Sequence, residues 1–152
     1  MKRTYHKTET FDLKEPGYET GPRILADTIA KNWPELCETS QTGLYIITED
    51  SGFEASVVLW KQALQDSPRF VNPAPFPFTL SCSPAGYIAQ QCKICGPNYT
   101  FIGPAAEFES ALNELAFDLG QNIIDAGILI ILINKIENDL IYFNAEISIY
   151  KN

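Results

Sequence analysis

The sequence predicts an α/β fold with a mixed β-sheet, and three observations lead to this prediction. Segments with the two-residue period of strands alternate with segments that have helical spacing. Residues 126–134 (AGILIILIN) are apolar without interruption, as expected of a strand covered on both faces. Residues 140–151 (LIYFNAEISIYK) alternate more strongly and follow the polar turn KIEND, which predicts an antiparallel hairpin at the end of the sheet.

The first half of the chain predicts two strands and two helices in alternation. Each helix has an N-terminal signal. Pro22 lies near the start of the first helix, and Ser51 forms a capping box with Glu54 at the start of the second. Apolar residues then recur at helical spacing in both segments. The elements are, in order, strand 4–11, a helix from Pro22, strand 43–48, and a helix from Ser51 to about Gln65.

The second half begins with a proline-rich connection, SPRFVNPAPFPFTLSCSPAG, which contains five prolines. Proline removes a backbone donor and fixes φ, so we expect this connection to be extended and stiff rather than helical. Ser83 and Pro84 have the pattern of an N-cap and first residue of a short helix that ends near Cys92. The remaining elements are strand 98–102 and helix 104–119, with Gly120 as the C-cap.

Composition limits the classes of function. A chain of 152 residues fits one domain, taken as 1–152. The net charge of -8 argues against nucleic acid and against an anionic membrane, and it favours a partner that is basic or apolar. The sequence has no uncharged apolar stretch of about 18 residues and no apolar segment after its basic N-terminus, so we expect a cytoplasmic protein without a membrane span.

The cysteines and the single histidine are candidate ligands or nucleophiles. Cys92 and Cys95 have the spacing of a zinc or redox pair, but Cys37 and Cys82 do not supply a second close pair. Coincidental buried thiols are the favoured interpretation, with metal binding and redox chemistry as alternatives. His6 lies on a predicted strand without a partner motif. We expect no metal and no cofactor.

Three segments carry a family resemblance: SPRFVNPAPFPFTLSCSPAGYIA, CGPNYTF and AFDLGQNIIDAGILIIL. Together they resemble the N-terminal half of a beta-ketoacyl synthase of the thiolase-like superfamily, and within it the chain-length-factor and synthase-like subunits. The resemblance is continuous from Gly96 to about Leu132 and looser from Pro22. It implies half of a thiolase-like fold, a five-stranded mixed sheet in the order 3-2-1-4-5, with the last strand antiparallel and helices on its faces.

The resemblance also implies a position for a nucleophile. In the family, the nucleophilic cysteine lies nine residues after the glycine of the Gly-Pro pair, at the start of a helix. That position is Ala105, and no Cys, Ser or Thr lies within two residues of it. The two histidines that synthases use belong to their C-terminal half, outside the resemblance. We therefore expect a pseudoenzyme with no catalytic residue.

The helix after this turn carries four carboxylates, at Glu107, Glu109, Glu114 and Asp118. Burying an unpaired carboxylate costs several kcal/mol, so we expect all four on one exposed side of an amphipathic helix.

Without a nucleophile, the resemblance implies association rather than catalysis. In the family, the strand that matches Asn98–Ile102 lies at a sheet edge and pairs across a dimer axis. The predicted interface is therefore Asn98, Tyr99, Thr100, Phe101 and Ile102. The partner is a second copy or a full-length beta-ketoacyl synthase, in polyketide, polyene or fatty-acid assembly. Acyl carrier proteins are acidic, which disfavours their direct docking to this acidic chain.

Two other functions remain open. The apolar sheet face and the proline-rich loop, through Phe70, Phe76 and Phe78, could bind a small molecule or an acyl chain. Cys82 or Cys92 could serve as the nucleophile of an active enzyme.

Overall fold

The computed structural model describes residues 2–13, 20–49, 52–104, 107–137 and 140–151. Helices pack on both faces of a mixed β-sheet, so the α/β prediction is confirmed. Within these ranges, no helix combines the length and the apolar character that a membrane crossing requires. The strands are β1 (Lys2–Leu13), β2 (Thr42–Thr48), β3 (Asn98–Ile102), β4 (Ala126–Glu137) and β5 (Leu140–Lys151), and the helices are α1 (Thr20–Asn32), α2 (Phe53–Asp66), α3 (Ser83–Cys92) and α4 (Phe108–Gly120).

The strand order is β1-β5-β4-β2-β3. β2 is parallel to β3 on one side and to β4 on the other, and β5 is antiparallel to both β4 and β1. The antiparallel last strand is therefore confirmed, but the predicted order 3-2-1-4-5 is wrong. β2 pairs directly with β4, from Thr42↔Ala126 to Thr48↔Leu132, and β1 lies at the far edge beside β5.

The position of β1 has a physical reason in its sequence. A strand between parallel neighbours and under helices on both faces must be almost wholly apolar, as β2 and β4 are. The β1 sequence, KRTYHKTETFDL, is polar or charged at most positions. Such a strand belongs at an edge of the sheet, where it pairs on one side only.

Each face of the sheet has its own hydrophobic core. The side chains of β2 alternate between the two cores, and all seven of its residues are buried. Leu44 and Ile46 belong to the core under α1 and α3, together with Leu25, Ile29, Ile88, Ile128 and Ile147. Tyr45 and Ile47 belong to the core under α4, together with Ala111, Leu115, Leu119, Ile124 and Leu129.

Three helix starts differ from the prediction. α4 begins at Phe108, because the Glu107 N–H donates to the Pro104 carbonyl (2.8 Å) in a turn that precedes the helix. α1 begins at Thr20, two residues before Pro22. The N-cap of α2 is Gly52, at φ 88°, and Ser51 of the predicted capping box lies outside the described residues.

Two residues that were predicted to cap helices are instead the terminal residues of those helices. Ser83 is the first residue of α3, whose N-cap is Cys82. Gly120 is the last residue of α4, whose C-cap is Gln121.

The proline-rich connection is not simply extended. It contains two short 3-10 helices, Pro68–Phe70 and Phe76–Thr79. The fixed φ of proline, near −65°, suits a 3-10 turn as well as an extended chain. The prediction of an extended segment is therefore wrong in these two places.

Gly96 lies where the turn into β3 passes against the segment before β2. A β-carbon at this position would collide with the Thr42 carbonyl oxygen and would lie 2.8 Å from the Ser40 carbonyl oxygen. Both atoms belong to the backbone and cannot rotate away. The Gly-Pro turn therefore requires glycine at this position, because the chain packs closely against backbone atoms where it enters the edge strand.

We expect Gly96→Ala to lower the free energy of unfolding by about 1–3 kcal/mol, the usual cost of overpacking. Urea denaturation measures this change. The matched control is Gly86→Ala in α3, where a β-carbon meets no atom within 4 Å. The control is expected to gain roughly 0.5–1 kcal/mol from helix propensity. Equal stabilities of the two variants would contradict the packing argument.

Candidate interface at the sheet edge

β3 ends the sheet on one side, and no described strand lies beyond it. It pairs with β2 from Leu44↔Asn98 to Thr48↔Ile102. The Leu44 N–H donates to the Pro97 carbonyl (2.8 Å), and the Gly103 N–H donates to the Thr48 carbonyl (3.0 Å).

Between those two bonds, residues of a parallel strand alternate between facing their neighbour and facing away. The outward main-chain groups of β3 are therefore those of Asn98, Thr100 and Ile102. β3 thus has the edge position expected of it, and its role as an interface stays a prediction.

The side chains of β3 are much less buried than those of β2. Asn98 is exposed, Tyr99 is 37 % exposed and Ile102 is 65 % exposed, while Thr100 and Phe101 are half-buried. The edge therefore offers both unpaired main-chain groups and apolar side chains, the two features of a surface that adds a strand.

A row of aromatic rings connects this edge to the core under α4. The rings of Tyr45 and Tyr99 stack with centroids 5.5 Å apart, and the Tyr99 and Phe101 rings lie 6.3 Å apart. Tyr45 is fully buried and lies in register with Tyr99. The sequence analysis did not select Tyr45, although it is the one aromatic residue in the otherwise aliphatic strand GLYIIT.

Asp118 lies inside the protein, not on the solvent side of α4. It is 2 % exposed, and the Tyr45 hydroxyl donates a hydrogen bond of 2.5 Å to its Oδ2 atom. The expectation that four carboxylates share one exposed side is therefore wrong, because this partner offsets part of the cost of burial. Glu109 is exposed, whereas Glu107 and Glu114 are half-buried.

Both tyrosines at this edge remain protonated at neutral pH. Burial and then Asp118 raise the pKa of Tyr45 far above its ordinary value of 10.0. Burial, followed by the charges of Asp118 and Glu114, also raises the pKa of Tyr99. The phenols are therefore hydrogen-bond donors and not nucleophiles.

The described residues line a small cavity where the parallel strands end. Ligands of open α/β sheets bind at the carboxyl ends of the strands, and Ala105 follows that end of β3 but lies outside the described residues. The cavity there is about 20 Å³ and is lined by Ile47, Thr48, Glu49, Gly103, Ile131, Leu132 and Ile133. Such a cavity has room for about one water molecule.

The other candidate nucleophiles and ligands differ in burial. Cys82 and Cys95 are exposed, so the expectation of a buried thiol is wrong at Cys95, whereas Cys92 is buried. Burial raises the pKa of the Cys92 thiol to about 12. The thiolate is the reactive form, so Cys92 is a poor nucleophile at neutral pH. His6 lies on β1, in register with Ser148. No group of three or more His, Cys, Asp and Glu in the described part of the chain has a metal-binding arrangement.

A second apolar surface lies between α2 and the proline-rich connection. It is an open groove of about 560 Å³, lined by Ser56, Leu59, Trp60, Ala63, Pro68, Val71, Pro73, Phe76 and Thr79. Of the three predicted loop phenylalanines, only Phe76 lines it. Phe70 is exposed outside the groove, and the Phe78 ring lies 6.4 Å from that of Tyr87.

We expect Tyr45→Phe to lower the free energy of unfolding by about 1–3 kcal/mol, because it leaves the buried Asp118 carboxylate without this donor. Asp118→Asn keeps an acceptor for the Tyr45 hydroxyl and is expected to cost less. Chemical denaturation at pH 7 of both variants measures the difference. An Asp118→Asn variant that is less stable than Tyr45→Phe would contradict the assigned donor and acceptor.

The raised pKa of Tyr45 also predicts how the stability of the protein changes with pH in the alkaline range. Its pKa is higher in the folded than in the unfolded chain, so its contribution is complete below pH 10 and is lost as the pH rises beyond that value. Above pH 10 the free energy of unfolding should fall by up to about 1.4 kcal/mol per pH unit from this residue. The slope should be shallower in Tyr45→Phe, and an identical slope would exclude Tyr45 as its source.

Comparison with known proteins finds similarity only among solved structures. No family model matches the chain, and no curated protein sequence matches it. A structure of the ishigamide ketosynthase/chain length factor is similar, with a TM-score of 0.61 and 17 % identity over 74 % of this chain and 36 % of that one. Ketosynthase twelve of the bacillaene polyketide synthase of Bacillus amyloliquefaciens has a TM-score of 0.61 and 10 % identity over 86 % and 28 %.

A ketosynthase in complex with its chain length factor, from Xenorhabdus doucetiae, is also similar. Its TM-score is 0.61, with 11 % identity over 88 % of this chain and 58 % of that one. The chain spans less than two thirds of the length of each of these proteins. The protein therefore shares its fold with ketosynthases and chain length factors, as the sequence resemblance implied.

Proposed function

We propose that this protein is a catalytically inactive ketosynthase-like subunit that works by association, either with a second copy or with an active synthase. The observation that carries the proposal is the open edge of β3. Asn98, Thr100 and Ile102 direct main-chain groups outward there, beside exposed apolar side chains. An edge of this kind is a template for strand pairing unless another chain covers it.

The structural neighbours support a partner of the same fold. One of them is a ketosynthase in complex with its chain length factor, and another is described as a ketosynthase/chain length factor. By analogy, the setting of this chain is polyketide, polyene or fatty-acid assembly. The charge of -8 makes two copies repel each other and favours a more basic synthase, although salt screens this effect.

Three features support the absence of condensing activity. The position that matches the family nucleophile is Ala105. The cavity that the described residues line at the carboxyl ends of the parallel strands is about 20 Å³, the size of about one water molecule. The buried thiol, Cys92, has a pKa raised to about 12. Transfer of an acyl group to the chain from an acyl-thioester analogue at neutral pH would contradict this part of the proposal.

We expect variants of the outer edge of β3 to change the oligomeric state. Thr100→Pro removes an outward N–H without removing a hydrogen bond to β2, and Ile102→Lys places a charge on the exposed edge. If the partner is a second copy, light scattering after size-exclusion chromatography should show a homodimer of the unaltered chain and monomers of both variants. If the partner is a synthase, pull-down from the native host should recover it with the unaltered chain only.

The control for these variants is Ile123→Lys. Ile123 is also an exposed isoleucine (45 %), but it lies on the α4–β4 connection and not on β3. It should retain the association of the unaltered chain. The edge model fails if Thr100→Pro and Ile102→Lys associate as Ile123→Lys does, while circular dichroism shows that all three variants are folded.

The groove beside α2 favours a second function, the binding of an acyl chain or another apolar small molecule. Its size lies within the 300–1,000 Å³ typical of ligand pockets, and its lining contains no charged residue. The sheet faces are the other predicted surface for this function, and along β2 they are not open, because all seven residues of β2 are buried. Among the described residues, the groove is therefore the better supported surface for this function.

Tryptophan fluorescence tests the groove directly. Trp60 lines it and is 67 % exposed, whereas Trp33 is 8 % exposed in the core under α1. Titration with a long-chain fatty acid below its micelle concentration should shift the emission to the blue by several nanometres in the unaltered chain. The shift should be absent in Trp60→Phe. A shift that persists in Trp60→Phe would place the ligand elsewhere.

A further inference from the structure

The segment after α1 and the end of α3 bring two thiols together. Cys37 follows a short 3-10 helix (Pro34–Leu36), and Cys92 is the last residue of α3. The Glu38 N–H donates to the Cys92 carbonyl (2.9 Å), and the Cys95 N–H donates to the Thr39 carbonyl (2.9 Å). Two main-chain hydrogen bonds therefore hold the backbones together beside the cysteines.

The side chains of the two cysteines border the same hydrophobic core. Cys92 is 2 % exposed in the core under α1 and α3, and the half-buried Cys37 packs against the same core. The Cys37 thiol donates to the Trp33 carbonyl (3.9 Å) and the Cys92 thiol donates to the Ala26 carbonyl (3.5 Å), and the two thiols lie close enough for each to affect the pKa of the other. A disulfide requires neighbouring backbones and thiols that can meet, and the main-chain hydrogen bond between Glu38 and Cys92 supplies the first of these conditions.

The residues directly after the two cysteines strengthen the arrangement. Glu38 and Lys93 both have left-handed backbones, with φ values of 57° and 52°. Their side chains form an ion pair of 2.7 Å between Lys93 Nζ and Glu38 Oε1. The left-handed turn at Lys93 ends α3, so the chain leaves Cys92 alongside the segment of Cys37 instead of continuing the helix.

We propose that Cys37 and Cys92 form a modification site, a dithiol that a low-molecular-weight disulfide such as glutathione disulfide oxidises to an intrachain disulfide. The Cys37 thiolate attacks one sulfur of glutathione disulfide, forms a mixed disulfide and releases one glutathione thiolate. The Cys92 thiolate then attacks the Cys37 sulfur and releases the second. The two protons lost by the cysteines are taken up by the two glutathione thiolates, so the protein loses two electrons and glutathione disulfide gains them.

The surroundings of the pair make this exchange slow at neutral pH. Burial raises the pKa of both thiols. The negative charges of Glu35 and Glu38 raise the pKa of Cys37 further, and the charge of Asp27 raises that of Cys92. The rate of disulfide formation should therefore rise several-fold between pH 7.5 and pH 8.5. The bond would close a ring from residue 37 to residue 92 and fix the turn that leads into β3.

Peptide mapping of the oxidised full-length chain identifies the bond. Trypsin leaves Cys82 and Cys92 in one peptide, 70–93, so the map is made on Cys82→Ser. After incubation with glutathione disulfide, the unreduced digest should contain peptide 32–61, with Cys37, joined to peptide 70–93. The same cross-linked peptides should appear in the double variant Cys82→Ser, Cys95→Ser. This variant is the control, because it removes an exposed thiol that the proposed disulfide does not use.

Other products would overturn the proposal. These are peptide 70–93 joined to the peptide that contains Cys95, peptide 32–61 joined to that same peptide, or glutathione left on Cys37 without a cross-link. Closing the ring should also raise the Tm of Cys82→Ser by roughly 5–10 °C. Dithiothreitol should reverse this rise. A cross-link between 32–61 and 70–93 that lowers the Tm would show that the pair is strained in the native fold, and it would also overturn the proposal.

Discussion

β2 depends on parallel pairing along both of its sides, and the rest of the structure is arranged around that constraint. β3 and β4 satisfy its main chain, while its side chains alternate between the two cores. All seven residues, Thr42–Thr48, are buried. A strand enclosed in this way cannot carry a charge, and parallel neighbours require long crossovers, which here contain the helices.

The same constraint leaves the sheet with two unlike edges. β1 is long and polar and pairs with β5, whereas β3 has five residues, is partly exposed and pairs only with β2 among the described strands. The rings of Tyr45, Tyr99 and Phe101 link the β3 edge to the core under α4, and the hydrogen bond from Tyr45 to Asp118 ties β2 to that helix. The edge therefore rests on a rigid support, which suits an interface better than a mobile loop does.

The turns on either side of β3 differ in what limits their sequence. On the entry side, Gly96 packs against backbone carbonyls, a requirement of shape that does not depend on chemistry. On the exit side, the described residues line a cavity of about 20 Å³, and the sequence has Ala105 shortly after the strand. Both turns position β3 at the edge of the sheet, which is the surface on which the proposed association depends.

Local sequence patterns predicted most elements because periodicity and turn residues act over a few neighbours. The buried strands 43–48 and 126–134, the strand 98–102 and the terminal hairpin all follow from such patterns. The predictions that failed concern contacts between residues that are far apart in the sequence. The strand order taken from the family resemblance failed at β1, whose polar sequence suits an edge, and the exposed side assigned to α4 failed at Asp118.

By itself, the sequence determined the α/β class, the position of most helices and strands, the lack of a nucleophile at position 105 and the excess of negative charge. Only the tertiary structure decided which strands are neighbours, that Asp118 is buried under Tyr45 and that the segment of Cys37 lies beside Cys92. The physical reason is sequence separation. Tyr45 and Asp118 are 73 residues apart, so no local pattern reports their contact, which forms only when β2 and α4 pack together.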